Sequence, residues 1–121
     1  MKFGIDRLIS EPELRRALAG KRVALLAHPA SVTADLTHSI DALIACPDIT
    51  VSAAFGPQHG MRGDLQDNMM ESPDFTDPVH GFPVFSLYGQ TRRPTGQAMG
   101  TFDVLLVDMQ DLGCRIYTFI T

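Results

Sequence analysis

The chain has 121 residues, 45% of them hydrophobic and 20% charged, which suffices for one small domain with a real core and argues against disorder. Its net charge of −4 gives no electrostatic basis for binding nucleic acid or an anionic membrane surface. The basic residues fall in scattered pairs, Arg15-Arg16, Lys21-Arg22 and Arg92-Arg93, with no patch among them.

Met1 to Arg7 lacks the apolar run of a signal peptide, and no apolar stretch approaches membrane-spanning length. As written the chain is expected in the cytoplasm without membrane insertion, or in the periplasm or outside the cell if a leader precedes it. Ser10-Glu11-Pro12-Glu13 predicts a helix start, with Ser10 as cap, Glu13 completing a capping box and Pro12 in the first turn. Leu14, Ala17 and Leu18 share one face, and Gly20 ends the helix. Val23 to Ala27 is a continuous apolar run that suits a strand buried on both faces of a parallel sheet. A polar loop, His28-Pro29-Ala30-Ser31, follows. The pattern then predicts a helix from about Thr37 to Cys46, with Ile40, Leu43 and Ile44 inward, broken by Pro47-Asp48.

A second buried strand, Ile49 to Phe55, runs into Gly56-Pro57-Gln58-His59-Gly60-Met61-Arg62-Gly63. Gly and Pro at this density end regular structure and permit unusual dihedrals. A turn-rich polar segment after a buried strand is where α/β folds place ligand sites. Residues 61–81 carry few periodic signals, which marks a long functional connection. Phe82 to Tyr88 reads as a short strand entered by Pro83, and Thr95 to Met99 as a helical turn. Phe102 to Asp108 is the clearest strand and ends on an acid, followed by Met109-Gln110-Asp111-Leu112-Gly113. The chain then stops inside an apolar, aromatic segment, as the front piece of a longer protein would.

This alternation predicts an α/β fold: a mostly parallel sheet with flanking helices in three layers, incomplete in this stretch. His28, Gln58, His59, Asp108, Gln110 and Asp111 would then share the edge at the carboxyl ends of the strands. No G-x-G-x-x-G follows the first strand, and no G-K-[ST] or G-x-S-x-G motif is present. A nucleotide site of the usual kind is therefore not expected. His28, His59 and His80 lack metal-ligand spacing, so structural or substrate-binding roles are expected and no metal; His38 is expected to be exposed. Cys46 and Cys114 show neither disulfide density nor a C-x-x-C pair, and read as free thiols.

Carboxylates are the stronger chemical candidates. Asp64, Asp67 and Glu71 lie in the long loop, and Asp108 and Asp111 follow the last strand. Glycoside cleavage needs two such groups across the scissile bond. For each loop acid a solvated turn cap is the competing role; Asp108 stands apart because it directly ends a buried strand. Arg62 and Arg115 offer bidentate forks for an anionic substrate, or salt bridges to these same acids.

Gly4-Ile5-Asp6-Arg7-Leu8, Lys21 to Leu26 and the Gly56–Gly63 loop, taken in order, resemble the NamZ-type exo-β-N-acetylmuramidases. Phe82 to Gly89 resembles that family's G-L-P-V-x-S-L-Y-G element. Asp108 to Thr118 resembles its D-x-Q-D-x-G-x-R-x-Y-T signature. The resemblance implies a Rossmann-like catalytic domain of which residues 1–121 are the N-terminal part, with a smaller C-terminal domain beyond. The implied reaction removes terminal N-acetylmuramic acid from peptidoglycan fragments, a small saccharide or muropeptide substrate, with no cofactor. Glu71, Asp108 and Asp111 are then the catalytic candidates. Gln58, His59, Arg62, His28, Gln110 and Arg115 are the substrate-binding ones. One position departs: Gln58 stands where many members carry Glu in P-E-H-G. Two readings follow, a glycosidase that uses another acid, with Glu71 foremost, and a non-catalytic sugar-binding module of the same fold. A sheet edge left exposed would favour self-association.

Overall fold

The structure, a computed structural model, describes residues 2–56, 75–76, 81–86 and 94–109. The chain begins with two short helices, α1 (Gly4–Ser10) and α2 (Pro12–Arg16). The sequence predicted one helix starting at Ser10; Ser10 instead closes α1. The Asp6 carboxylate accepts the Phe3 backbone N–H at 3.0 Å, which satisfies a donor that the first turn leaves without a partner. Ile5, Leu8 and Ile9 of α1 turn toward the core. Pro12 does occupy the start of α2, but Glu11 caps it without a side-chain bond. The Arg15 guanidinium spans the break, donating to the carbonyls of Leu8, at 3.1 Å, and Ile9. It also pairs with Asp48 at 2.8 Å. Because α1 covers the core here, Leu18 alone of the expected inward trio is buried, and Leu14 is 42% exposed. Gly20, at φ 71, ends the segment as expected.

The sheet contains β1 (Arg22–Ala27), β2 (Thr50–Gly56), β3 (Phe75–Thr76), β4 (Pro83–Ser86) and β5 (Val104–Asp108), in the spatial order β3-β4-β2-β1-β5. β4, β2, β1 and β5 are parallel, and β3 adds an antiparallel edge against β4 inside the stretch read from sequence as connection. Helix α3 (Ser39–Ile44) crosses from β1 to β2, and α4 (Gly96–Met99) precedes β5.

A one-residue irregularity sorts the side chains between the two faces. Val23 pairs with Val51, but Ala24 pairs with Ala53, so Ser52 is extra in β2. Without it, Val51, Ala53 and Phe55 would share a face, because strand side chains alternate with period two. With it, Val51 packs with Val23, Leu25, Ala27 and Ala54 beneath Ile5, Leu18, Ile40 and Leu43. Ala53 and Phe55 join Ala24 and Ala98 on the opposite face. Ser52 Oγ donates to the Thr101 carbonyl at 2.7 Å, which anchors the bulge to the turn before β5.

The sheet is therefore flanked on both faces: α1 and α3 contribute to one cluster, and Ala98 of α4 to the other. On the second face Phe55 makes a T-shaped contact with Phe102, centroids 5.7 Å apart, and a tilted one with Phe85 at 5.4 Å. β5 departs from expectation. The sequence predicted a buried strand, yet Leu105 is 41% and Val107 63% exposed. The strand order places β5 at the edge of the described sheet, and alternate residues turn away from the covered face.

Candidate active site at the strand switch

Counted as parallel strands alone, β1, β2, β4 and β5 stand in the order 3-2-1-4, which matches the first four strands of the doubly wound nucleotide-binding order. The chain builds outward from β1 to β2 and β4, then crosses back to place β5 on the other side of β1. The crevice of such a sheet opens outside the carboxyl ends of the two strands at that reversal. Here those ends are Ala27 of β1 and Asp108 of β5, which are register partners.

The first residue past β1 is His28, only 5% exposed. The turn that follows brings Ser31 back beneath it. The His28 backbone N–H donates to Ser31 Oγ at 3.0 Å, and Ser31 Oγ lies 2.9 Å from His28 Nδ1. Ser31 Oγ donates to the backbone carbonyl of Asp108, so one buried hydroxyl joins the ends of both switch strands. The Asp108 carboxylate in turn accepts the hydroxyl of Ser39, the first residue of α3. Ser31 and Ser39 are both 0% exposed, and the Ser39 N–H donates to the Ser31 carbonyl at 2.8 Å. His28, Ser31, Ser39 and Asp108 thus form one hydrogen-bonded group built from β5, α3 and the loop between β1 and α3.

His38 completes the support. Its Nδ1 accepts the Ile40 N–H at 3.2 Å and caps α3, while its Nε2 lies 3.1 Å from the His28 carbonyl. It is half-buried and holds the loop, where exposure was expected. At the opposite end of the β1–β5 pair, Arg22 grips Asp103 through its backbone N–H at 2.9 Å and Nη2 at 3.1 Å. Hydrogen bonding from the Arg22 side chain holds the Asp103 carboxyl below its usual range.

Of the residues predicted from sequence, the structure brings His28 and Asp108 together. Gln58, His59, Arg62, Glu71, Gln110, Asp111 and Arg115 lie outside the described residues. Sequence reasoning missed Ser31 and Ser39; Ser31 stood in the polar loop, and its place three residues after the histidine that follows β1 was the only available signal. Among the described residues no three His, Cys, Asp or Glu side chains converge as a metal site requires. Cys46 is a buried free thiol donating to the Ala42 carbonyl at 3.5 Å, as the sequence predicted. Beside the site, a cavity of about 480 Å³ is lined by Ile5, Leu8, Leu18, Leu25, Leu106 and Asp108, among others, with the aspartate the one acid among the described residues that line it.

Residues 23–121 match the sequence profile of the family described as exo-beta-N-acetylmuramidase NamZ, N-terminal. The chain is 44% identical over 120 residues to the peptidoglycan beta-N-acetylmuramidase NamZ of Bacillus subtilis strain 168, covering 99% of this chain and 28% of that protein. Two crystal structures of DUF1343-family proteins from Bacteroides fragilis are also similar. One superposes with a TM-score of 0.80 at 41% identity and the other with 0.69 at 30%, each over 98% of this chain and 28% of the other. The chain thus spans well under a third of the length of the relatives it matches.

Proposed function

The chain belongs to the exo-β-N-acetylmuramidase NamZ family through that family's N-terminal part, and from this membership we propose that the whole protein is a glycoside hydrolase releasing terminal N-acetylmuramic acid from peptidoglycan fragments. Residues 1–121 supply the Rossmann-like portion of its catalytic domain, and a smaller C-terminal domain completes the protein. The observation that carries the reading is the position of Asp108: a carboxylate at the strand reversal, held by a neutral hydroxyl, with a buried histidine joined to the same strand end. That is the crevice where an α/β sheet binds its ligand, and hydrolysis of a glycoside calls for a carboxyl group able to donate or accept a proton there.

In this reading Asp108 and Glu71 form the pair of acids, with Asp111 beside them. His28, His59, Gln58 and Gln110 hydrogen-bond the sugar. Arg62 or Arg115 receives the lactyl carboxylate that distinguishes muramic acid from glucosamine, a group suited to a bidentate guanidinium. The Gln58 side chain binds a hydroxyl and leaves proton transfer to the acids. Incubation of the whole protein with chromogenic β-glycosides of N-acetylmuramic acid and N-acetylglucosamine tests the proposal. Release from the first and not the second is expected; no turnover of either sinks it.

A further inference from the structure

Three hydrogen bonds close a ring through Asp108. The Ser31 hydroxyl donates to the Asp108 backbone carbonyl. The Ser31 carbonyl accepts the Ser39 N–H at 2.8 Å. The Ser39 hydroxyl then returns to the Asp108 carboxylate. Two of the three bonds end on backbone carbonyls, which only accept, so their direction is fixed. The ring grips Asp108 twice, at its main chain and at the far end of its side chain. Between those two points lie only χ1 and χ2, and the staggered wells of χ1 are few. We propose that Ser31 and Ser39 are positioning residues, which together hold the Asp108 carboxylate in a single rotamer at the strand reversal.

The muramidase reading supplies the reaction that this orientation serves, while the orientation itself stands on the ring alone. Ser31 and Ser39 are both 0% exposed, so bulk water does not compete for their hydrogen bonds. Topology brings the two serines to the acid. Ala27 and Asp108 are register partners, which sets the turn after β1 beside the end of β5. In that turn the Ser31 N–H donates to the His28 carbonyl at 3.0 Å, and Ser39 opens α3 directly after its cap, His38. The serines act through Asp108, so their effect belongs to the chemical step. A proton-transferring group displaced by about 1 Å can cost about 10²-fold in rate, and a loss confined to the transition state appears in kcat with KM little changed.

Three-bond couplings to the β-hydrogens of Asp108 in the labelled chain read χ1 without any assay. One staggered value is expected in the parent and an averaged one in Ser39→Ala; averaged couplings in the parent overturn the proposal. In the whole protein Ser39→Ala should lower kcat for the muramic acid glycoside by about 10–100-fold, with KM within about threefold. The same substitution made on top of Asp108→Asn should change turnover by less than about twofold, because the group it positions can no longer transfer a proton. Equal losses in the two backgrounds would mark Ser39 as structural and overturn the proposal. Ser39→Thr keeps the hydroxyl and should recover most of what Ala loses, which also serves if the Ala variant does not fold; a folded Thr variant at least 10-fold below the parent overturns the role of the hydroxyl. If the whole protein turns over no muramic acid glycoside while Ser39→Ala still releases χ1 of Asp108, the functional reading fails and the positioning stands.

Discussion

Asp108→Asn and Asp108→Ala separate the chemistry of the site from its architecture. Asn keeps a side-chain carbonyl in place of the carboxylate, so the Ser39 hydroxyl retains an acceptor, and the backbone carbonyl still receives Ser31. Its stability should stay within about 1 kcal/mol of the parent. Ala removes the acceptor and leaves the hydroxyl of Ser39, 0% exposed, without its partner, which costs about 1–3 kcal/mol. At about 4 °C per kcal/mol for a domain of this size, the Ala variant should melt roughly 4–12 °C lower. Neither side chain can exchange a proton as a carboxyl group does, so turnover of the muramic acid glycoside should fall by about 10²–10⁴ in both. Thermal melts of the chain and steady-state assays of the whole protein give the two readouts. An Asn variant with more than a tenth of parental turnover refutes the catalytic role of Asp108. An Asn variant that melts as low as Ala refutes the account of Ser39.

Phe55→Ala should destabilise the chain by about 3–5 kcal/mol, because Phe55 is 2% exposed and its ring packs against both Phe85 and Phe102; a denaturant midpoint close to the parent's would show that the second face is not a packed core. Hydrogen bonds from Arg22, Arg15 and Arg7 hold the carboxyls of Asp103, Asp48 and Glu11 below their usual ranges. Folded-state values below the unfolded ones mean stability that is present above the unfolded carboxylate range and lost as pH falls through the folded values. The melting temperature should therefore hold steady from about pH 7 to pH 5 and decline below about pH 4, with a shallower decline in Arg22→Met; an equal decline in that variant would exclude the Arg22–Asp103 pair as a source. The β5 edge of the described sheet should support self-association of the 121-residue chain. Val107→Lys, at a 63% exposed position, should shift light-scattering mass toward the monomer, and a parent that is already monomeric at high concentration removes the premise.

The parts of the fold legible in sequence are those that local pattern controls. β1, β2, β4 and β5 were marked by apolar runs between turn formers, α3 by the spacing of Ile40, Leu43 and Ile44, and the site edge by polar residues that follow strands. Legibility failed where long-range contacts decide. Ser10 looked like a cap, but Asp6 and Arg15 use side-chain hydrogen bonds to define a different pair of helices. Ser52 looked like one more strand residue, though its bulge decides which face Val51 and Phe55 occupy. β5 carried the strongest apolar signal and still lies at the edge of the described sheet, because strand order is set by crossovers and not by the strand's own composition. Ser31 and Ser39 gave no sign of burial, since serine is common in turns and at helix starts whether or not it is buried.

The two ends of the β1–β5 pair are fastened by different chemistry, and the difference suits the proposed reaction. At the amino end an arginine clamps Asp103 at the surface, where a depressed carboxyl pKa does no harm. At the carboxyl end the fasteners are hydroxyls: Ser31 joins the backbone, and Ser39 holds the side chain of Asp108. A guanidinium in place of Ser39 would hold Asp108 more strongly, and would also fix it in its ionised form, as Arg22 does for Asp103. A neutral hydroxyl orients the carboxylate through one hydrogen bond and places no formal charge beside it.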